Sequence, residues 1–164
     1  MDYWANAEAV EWFVSSIWPT IKAQHPQLKF YVVGGNPSKD ILALNKKNNV
    51  VVTGRVKDIR PYIDKAMCVV APMQIARGIQ NKVLEAMAMS KAVVMTSLAA
   101  EGISLPKLQS EYVIDEPLLF AEKVSELVND KDNCTQIGAD NRKWMSNHYR
   151  WDDVLAPLPE LLRN

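Results

Sequence analysis

The sequence predicts an α/β domain built on a Rossmann-like, doubly wound parallel sheet. Five short apolar runs are continuous rather than alternating, as in strands that are covered on both faces. Helix-like segments separate these runs, which favours βαβ units with right-handed crossovers. The length of 164 residues suits a single domain. Ligands of such sheets bind beyond the carboxyl ends of the strands, so the loops that follow the strands are the candidate site.

The first segment is predicted to be an amphipathic helix. Asn6 is a plausible N-cap with acidic Glu8 in the first turn. Pro19 lies inside the pattern and predicts a kink or a shortened helix. The apolar residues recur at helical spacing: Val10, Phe13, Val14, Ile17 and Ile21.

The remaining elements alternate along the chain. Pro117 suits the first turn of a helix. The predicted strands lie in "LKFYVVGG", "NVVVTG", "MCVVAP", "KAVVMTS" and "EYVID". The other predicted helices lie in "SKDILALNKK", "KDIRPYIDKA", "NKVLEAMAMS", "EPLLFAEKVSELVND", "NCTQIGADNRKWMSNHY" and "WDDVLAPLPELLRN".

Composition narrows the class of protein. Lys plus Arg and Asp plus Glu each number 19, and this balance argues against a general nucleic-acid binder. No apolar run approaches the roughly 20 residues of a membrane helix, and the N-terminus lacks a signal-peptide pattern. Cys68 and Cys134 are far apart and are predicted to be reduced and structural. We therefore expect a cytoplasmic protein, with peripheral attachment of a full-length protein to the inner membrane left open.

Two loops could bind an anion. "GGNPS" begins at Gly34 and precedes a helix, although an ordinary tight turn explains it equally well. After the third strand, Gly78 frees the backbone and Lys82 adds a cation to the first helical turn, a combination that suits a pyrophosphate. Glu85 shares a face with Lys82 and could accept hydrogen bonds from a ribose diol. The alternative is a simple Lys–Glu pair on a solvated stripe. The surrounding residues are apolar, so this helix is expected to be mostly buried and Glu85 to need a partner.

These residues also carry a family resemblance. Between Lys29 and Ile103 the chain resembles the C-terminal half of a group 1 (family 4) glycosyltransferase with the two-domain GT-B fold. The wording "ARGIQNKVLEAMA" is similar to sugar transferases of exopolysaccharide and exosortase gene systems. The matching positions, in the order and spacing of the family, are Gly54, Val56, Asp58, Ala66, Val70, Pro72, Gly78, the run from Lys82 to Ala88, Glu101 and Gly102.

The resemblance implies a retaining hexosyl transfer from a nucleotide-sugar donor, with this domain holding the nucleotide. Glu85 matches the second glutamate of the family's E-x7-E motif, which binds the ribose. Lys82, with the amides from Gly78 to Asn81, would face the pyrophosphate. Other implied contacts are the backbone of Arg55 and Val56 at the base, Gly34 beside the nucleotide, and Leu84. The resemblance implies neither a metal nor another cofactor.

The chain departs from the family at two positions. Arg77 stands where the first glutamate of the motif is expected. Three alternatives follow: Arg77 contacts the diphosphate, it contacts an acidic sugar, or the sugar pocket differs from that of the family. Together with Lys82, Arg77 is a candidate catalytic cation. Ser90 replaces a glycine that is usual in the family, a change that we expect to matter little.

The resemblance covers only one domain of a two-domain enzyme, so the activity of the full-length protein stays open. We expect residues 1–164 to be one nucleotide-sugar-binding domain of a longer enzyme whose N-terminal acceptor domain is absent from this chain, and that the domain alone is inactive. The acceptor implied by the family is a polysaccharide or a lipid-linked sugar. The helix expected in 151–164 would expose apolar residues and favour self-association. Two alternatives are a non-catalytic GT-B-like interaction domain and half of a GT-B-fold nucleotide-sugar epimerase.

Other polar residues are given structural roles. The D-x-D triplet from Asp130 to Asp132 lies in a turn after a helix, where metal binding is not expected. His25 and His148 are predicted to be surface or capping residues. Core and interface packing is expected of the tryptophans, which are Trp4, Trp12, Trp18, Trp144 and Trp151.

Overall fold

The computed structural model of the chain describes residues 4–149. Helices and strands alternate over this range, as the sequence predicts. The strands are β1 (Phe30–Val33), β2 (Val50–Gly54), β3 (Val69–Ala71) and β4 (Val93–Met95). The helices are α1 (Trp4–Trp12), a π-helical segment (Phe13–Ile17), α2 (Trp18–Gln24), α3 (Lys39–Ala43), α4 (Arg60–Lys65), α5 (Asn81–Ala88), α6 (Ser97–Ala100), α7 (Lys107–Ser110), α8 (Pro117–Asn129) and α9 (Lys131–His148).

The strands form two parallel ladders. Strand β1 pairs with β2, with Phe30 opposite Val50, and β3 pairs with β4, with Val69 opposite Val93. The central residues of these strands are apolar and mostly buried. Parallel pairs joined by helices confirm the predicted α/β class, because a parallel connection needs a crossover.

The predicted fifth strand is wrong. Its segment makes one isolated parallel bridge, between Met95 and Val113. Ile114 N–H donates to the Met95 carbonyl at 2.7 Å, and the pairing then stops. The next residues have other partners, since the Asp115 carboxylate accepts from Ser97 N–H at 2.8 Å and Glu116 caps α8. Capping of two helix starts takes the chain away from the sheet edge.

The long first helix is interrupted, as Pro19 predicts. Five of its buried residues are spaced by four, and in a regular α-helix that spacing drifts by about 40° per step. The wider π turn offsets this drift and keeps the same face toward the interior. Pro19 has no N–H for the carbonyl one turn earlier, which favours the irregular geometry. The buried residues are Ala5, Ala9, Phe13, Ile17 and Ile21.

The prediction of Asn6 as an N-cap is wrong. Helix α1 already includes Trp4, so Asn6 lies inside it. Asn6 instead faces α5, and α1 packs through Ala5 and Ala9 against the core cluster that holds Val83. Position 6 therefore belongs to a helix-to-helix contact.

Two core clusters support the two ladders. The first lies under β1 and β2 and joins the π-helical segment, α2, α8 and α9 through residues such as Phe13 and Phe120. The second joins α1, α5, β3 and β4 through residues such as Met87. Helix α5 is thus held against β3 and β4, with its first turn following the loop that leaves β3.

Helix α9 fixes the far end of α5. Ser90 adopts a left-handed backbone with φ of 61° just past α5. Lys91 N–H donates to the Ala86 carbonyl and Ser90 N–H to the Met87 carbonyl, each at 3.0 Å, which is a Schellman motif. Gly138 of α9 packs directly on this turn.

A buried amide network joins α7 and α9 to β4. Gln109 is fully buried; its Nε2 donates to the Val93 carbonyl at 2.5 Å and its Oε1 accepts from Val93 N–H at 3.0 Å. Asn141 Nδ2 donates to Gln109 Oε1 at 2.7 Å. The network satisfies backbone groups at the edge of β4 that would otherwise be buried without partners.

Both cysteines are free thiols, as predicted. Cys134 donates to the Met67 carbonyl at 3.1 Å, and burial raises the pKa of the Cys68 thiol to about 12. Between residues 4 and 149, no helix combines the length and the apolar character that a membrane span requires. The helix predicted in 151–164, and Trp151 with it, lies outside the described residues.

Candidate functional site

The carboxyl ends of β1 and β2 bring two predicted residues together. Gly34 N–H donates to the Gly54 carbonyl at 3.3 Å. A Cβ at Gly35 would lie 3.6 Å from Arg55 Cβ, so the glycine loop and Arg55 are neighbours. The side chain of Arg55 is exposed and Val56 is partly buried. This edge offers accessible backbone beside a guanidinium.

The "GGNPS" loop is a capped turn. The Ser38 hydroxyl accepts from Ile41 N–H at 3.2 Å and so caps α3, a helix of five residues. Asn36 adopts a left-handed backbone with φ of 50°. The capped amide and the turn geometry favour the ordinary-turn interpretation over an anion site at this helix.

Thr96 joins the carboxyl ends of β3 and β4. Its hydroxyl donates to the Met73 carbonyl at 2.7 Å, and its N–H donates to the Ala71 carbonyl at 3.3 Å. The residue is buried, so both bonds are shielded from water. One loop further on, a Cβ at Gly102 would lie 3.4 Å from Ile79 Cγ1. The loops after β3 and β4 therefore form one continuous surface at the start of α5.

The first turn of α5 has unsatisfied donors. Gln80, at the N-cap, makes no side-chain cap, and its Nε2 donates back to the Gly78 carbonyl at 3.0 Å. Val83 N–H donates to the Gln80 carbonyl at 2.9 Å. The N–H groups of Asn81 and Lys82 have no protein acceptor among residues 4–149. These amides lie at the positive end of the helix dipole, where an anion is stabilised.

Lys82 is held by residues from other elements. Its Nζ donates to Asn6 Oδ1 and lies 3.4 Å from Met73 Sδ. The side chain is partly buried, and this burial lowers the pKa of the Lys82 ammonium. Within the described residues Lys82 forms no ion pair with Glu85 or any other carboxylate. The alternative of a Lys82–Glu85 pair is therefore wrong.

Glu85 is exposed, which corrects the expectation of a buried, partnered carboxylate. Helix α5 buries Val83, Ala86 and Met87, whereas Glu85 and Ala88 face solvent. The helix is amphipathic, so its apolar residues do not enclose the carboxylate. Glu85 lies one turn beyond Lys82 and is open to a ligand.

Arg77 and Gly78 form the approach to α5. Gly78 has φ of 67°, and a Cβ there would meet nothing within 4 Å, so glycine is needed for the turn and not for space. Arg77 is exposed and pairs with no carboxylate between residues 4 and 149. Leu84 is partly buried against the second core cluster, which gives its side chain a packing role.

Three residues of this site were missed from the sequence. Asn6 and Met73 contact Lys82, and Thr96 fixes the loop that carries Met73. Asn6 lies 76 residues from Lys82, a separation that local patterns do not bridge. Thr96 gave a usable signal, because threonine is a preferred N-cap residue where a strand ends and a helix begins, and Thr96 does cap α6.

Other predicted polar residues lie elsewhere. Asp130 is the N-cap of α9 and accepts from Asn133 N–H at 2.9 Å, which explains the D-x-D triplet as a helix start. His25 is the C-cap of α2, and His148 stacks on Trp144 with ring centroids 3.8 Å apart. In the part of the chain that the structure describes, no three of the residue types that ligate metals cluster together.

Solved structures with a similar fold include two of TarM. One superposes with a TM-score of 0.75 at 22% identity, covering 90% of this chain and 31% of that chain. The other is a mutant of S. aureus TarM in complex with Fondaparinux, alpha-GlcNAc-glycerol and UDP. It has a TM-score of 0.79 at 19% identity and covers 94% of this chain and 33% of that chain. This fold is the GT-B glycosyltransferase domain.

Curated relatives point in the same direction. An uncharacterized 44.6 kDa protein in the cps region of Klebsiella pneumoniae is 18% identical over 161 residues, covering 93% of this chain and 42% of the relative. A GDP-mannose-dependent alpha-(1-6)-phosphatidylinositol monomannoside mannosyltransferase of Mycobacterium tuberculosis is 40% identical over 43 residues, or 26% of this chain and 11% of that protein. This chain therefore spans less than half of each of these relatives.

The family comparison covers most of the chain. The family model described as "Glycosyl transferases group 1" matches residues 1–130. This range contains β1 to β4, the loops that follow them and the whole of α5. The chain belongs to the group 1 glycosyltransferases.

Proposed function

We propose that this chain is the donor-binding domain of a retaining glycosyltransferase, and that a nucleoside diphosphate sugar binds across the carboxyl ends of its strands. The observation that carries the proposal is the environment of the Lys82 ammonium. A partly buried ammonium without a counter-ion stands in the first turn of α5, beside two amides that have no acceptor within residues 4–149. A diphosphate supplies the negative charge and the acceptors that this arrangement lacks.

The remaining contacts follow from the strand order. Glu85 is exposed one turn beyond Lys82, where its carboxylate can accept hydrogen bonds from both hydroxyls of a ribose. The backbone at Arg55 and Val56, next to Gly34, would receive the base. The amides from Gly78 to Asn81 would surround the diphosphate, whereas the Leu84 amide already donates to the Gln80 carbonyl at 3.4 Å.

Transfer requires stabilisation of the leaving diphosphate. As the bond from the sugar to the β-phosphate breaks, negative charge grows on the phosphate oxygens. Lys82 and the α5 amides are fixed beside that charge before reaction, and exposed Arg77 can add a second cation. Preorganised donors of this kind are the usual source of electrostatic catalysis.

The nature of the transfer is proposed from the relatives. One TarM structure holds UDP, and the mycobacterial relative uses GDP-mannose, so a hexosyl donor on either base is a reasonable substrate. The Klebsiella relative comes from a cps region, which supports a role in surface polysaccharide synthesis with a polysaccharide or lipid-linked acceptor. We propose that a second, N-terminal GT-B domain supplies the acceptor half of the cleft and that this domain alone does not transfer sugar.

Calorimetric titration tests the assignment directly. We expect UDP or GDP to bind to the chain, and uridine or guanosine to bind more weakly because they lack the diphosphate. If neither nucleotide binds, or if nucleoside and nucleotide bind equally, the donor-binding assignment is wrong. Absence of nucleotide binding would favour an interaction domain that keeps the fold without the donor site.

A further inference from the structure

A side-chain hydrogen bond between Asn6 and Lys82 links α1 to the first turn of α5. Asn6 Oδ1 accepts from Lys82 Nζ, and both side chains are partly buried. Met73 Sδ lies 3.4 Å from the same ammonium and is a weak acceptor. Lysine has four side-chain torsions, so one strong acceptor decides where its ammonium is held.

We propose that Asn6 is a positioning residue of the donor site, which holds the Lys82 ammonium in place for the diphosphate. The inference rests on the donor-binding function proposed above and adds α1 to that site. An amide oxygen suits this task because it accepts a hydrogen bond from the ammonium and leaves its charge unchanged. A carboxylate at the same position would compete with the phosphate.

The frame around Asn6 is rigid. Ala5 and Ala9 are buried against the core cluster that contains Val83 and Met87, so α1 is packed on the inner face of α5. The loop that carries Met73 is fixed by the buried hydroxyl of Thr96. Lys82 therefore contacts two packed elements, and its long side chain is already ordered in the free protein. Ligand binding then costs less side-chain conformational entropy.

A double-mutant cycle with UDP as the probe tests this role in the intact chain. The variants are Asn6→Ala, Lys82→Met and the double variant, with Glu11→Ala on the exposed face of α1 as the control. Alanine is a better helix former than asparagine, so Asn6→Ala is expected to fold. Each variant is titrated with UDP and with uridine.

We expect Asn6→Ala to weaken UDP binding by about tenfold, the effect of a lost bond to a charged group, and to leave uridine binding unchanged. In the Lys82→Met background the same change should alter UDP affinity by less than about twofold, because the two residues act through one contact. Glu11→Ala should match the wild type.

Four results would overturn the inference. Equal loss of UDP and uridine affinity, or additive effects of Asn6→Ala and Lys82→Met, would show that Asn6 only stabilises the fold. Unchanged UDP affinity in Asn6→Ala, with weakened affinity in Lys82→Met, would reject Asn6 and leave the donor site intact. A wild-type chain that binds no UDP or GDP would reject the donor site and the role of Asn6 together.

Discussion

Gly138 of α9 lies directly on the backbone of Ser90, so that a side chain at position 138 would occupy the space of the Ser90 carbonyl oxygen. The neighbouring Lys91 nitrogen would stand 3.4 Å from the same Cβ. Both obstacles are backbone atoms of a hydrogen-bonded turn, which cannot move aside as a flexible side chain does. The close contact sets the distance between α9 and the end of α5.

Replacement of this glycine should destabilise the domain. We expect Gly138→Ala to lower the free energy of unfolding by about 1–3 kcal/mol, because the added methyl group forces α9 away from the turn. Urea denaturation followed by circular dichroism measures the change. Ala139→Ser adds one atom at the adjacent, exposed position and should have little effect. Equal stability of Gly138→Ala and the wild type would contradict the contact.

The left-handed residue of the same turn offers a gain in stability. Ser90 has φ of 61°, a conformation that suits glycine at the end of a helix. We expect Ser90→Gly to raise the free energy of unfolding by about 0.5–1 kcal/mol, since the strain is relieved. The matched control is Ser146→Gly inside α9, which should instead cost about 1 kcal/mol. If both substitutions destabilise the protein, strain at Ser90 is not significant.

Glu85 should contribute to nucleotide affinity through the ribose. We expect Glu85→Gln to weaken UDP binding by about 1–3 kcal/mol, the range for a lost hydrogen bond to a charged group. The effect should be smaller with 2′-deoxy-UDP, which presents one fewer hydroxyl. Calorimetry gives both values, and Glu122→Gln on the exposed face of α8 serves as the control. Unchanged UDP affinity in Glu85→Gln would exclude the ribose contact.

Arg77 should act through charge alone. It is exposed and has no carboxylate partner within residues 4–149, so we expect Arg77→Ala to weaken UDP binding by about 0.5–1 kcal/mol at low ionic strength. The difference should shrink in 1 M salt, where the Debye length is about 3 Å. Uridine affinity should not change. A salt-independent loss, or an equal loss for uridine, would show that Arg77 shapes the loop and does not contact phosphate.

The cysteines should resist modification in the folded protein. Burial raises the pKa of the Cys68 thiol to about 12, which disfavours the reactive thiolate at pH 8. Burial also raises the pKa of Cys134. We expect Ellman's reagent to label both thiols slowly in buffer and rapidly in denaturant. Fast stoichiometric labelling of the native chain would contradict the raised pKa of the two thiols.

The strands and most helices were predictable from the sequence because their signals are local. Continuous apolar runs marked β1 to β4, and Pro117 marked the start of α8. The same local signals fail where a contact with a residue distant in the sequence determines the structure. Val113 has the pattern of a strand, but the segment pairs only once, since Asp115 caps a helix from another part of the chain.

The positions of the candidate residues along the chain were predictable from the sequence, but the burial and the partners of their side chains were not. Lys82 and Glu85 do follow β3 at helical spacing, yet one is partly buried and the other exposed. Only packing of α5 on β3 and β4 decides which face of the helix meets water. The partner of Lys82 could not be found locally, because Asn6 reaches it from a helix at the start of the chain.

The π-helical segment Phe13–Ile17 has a consequence for comparing this chain with its relatives. A π turn contains the extra residue that a one-residue insertion would add to a regular helix. A relative whose corresponding helix is regular should therefore align with a single-residue gap inside 13–17. Without that gap, the buried positions on one side of the turn would be matched to positions rotated by about 100° around the helix. Deleting one residue from this segment should likewise be better tolerated than deleting one from α8.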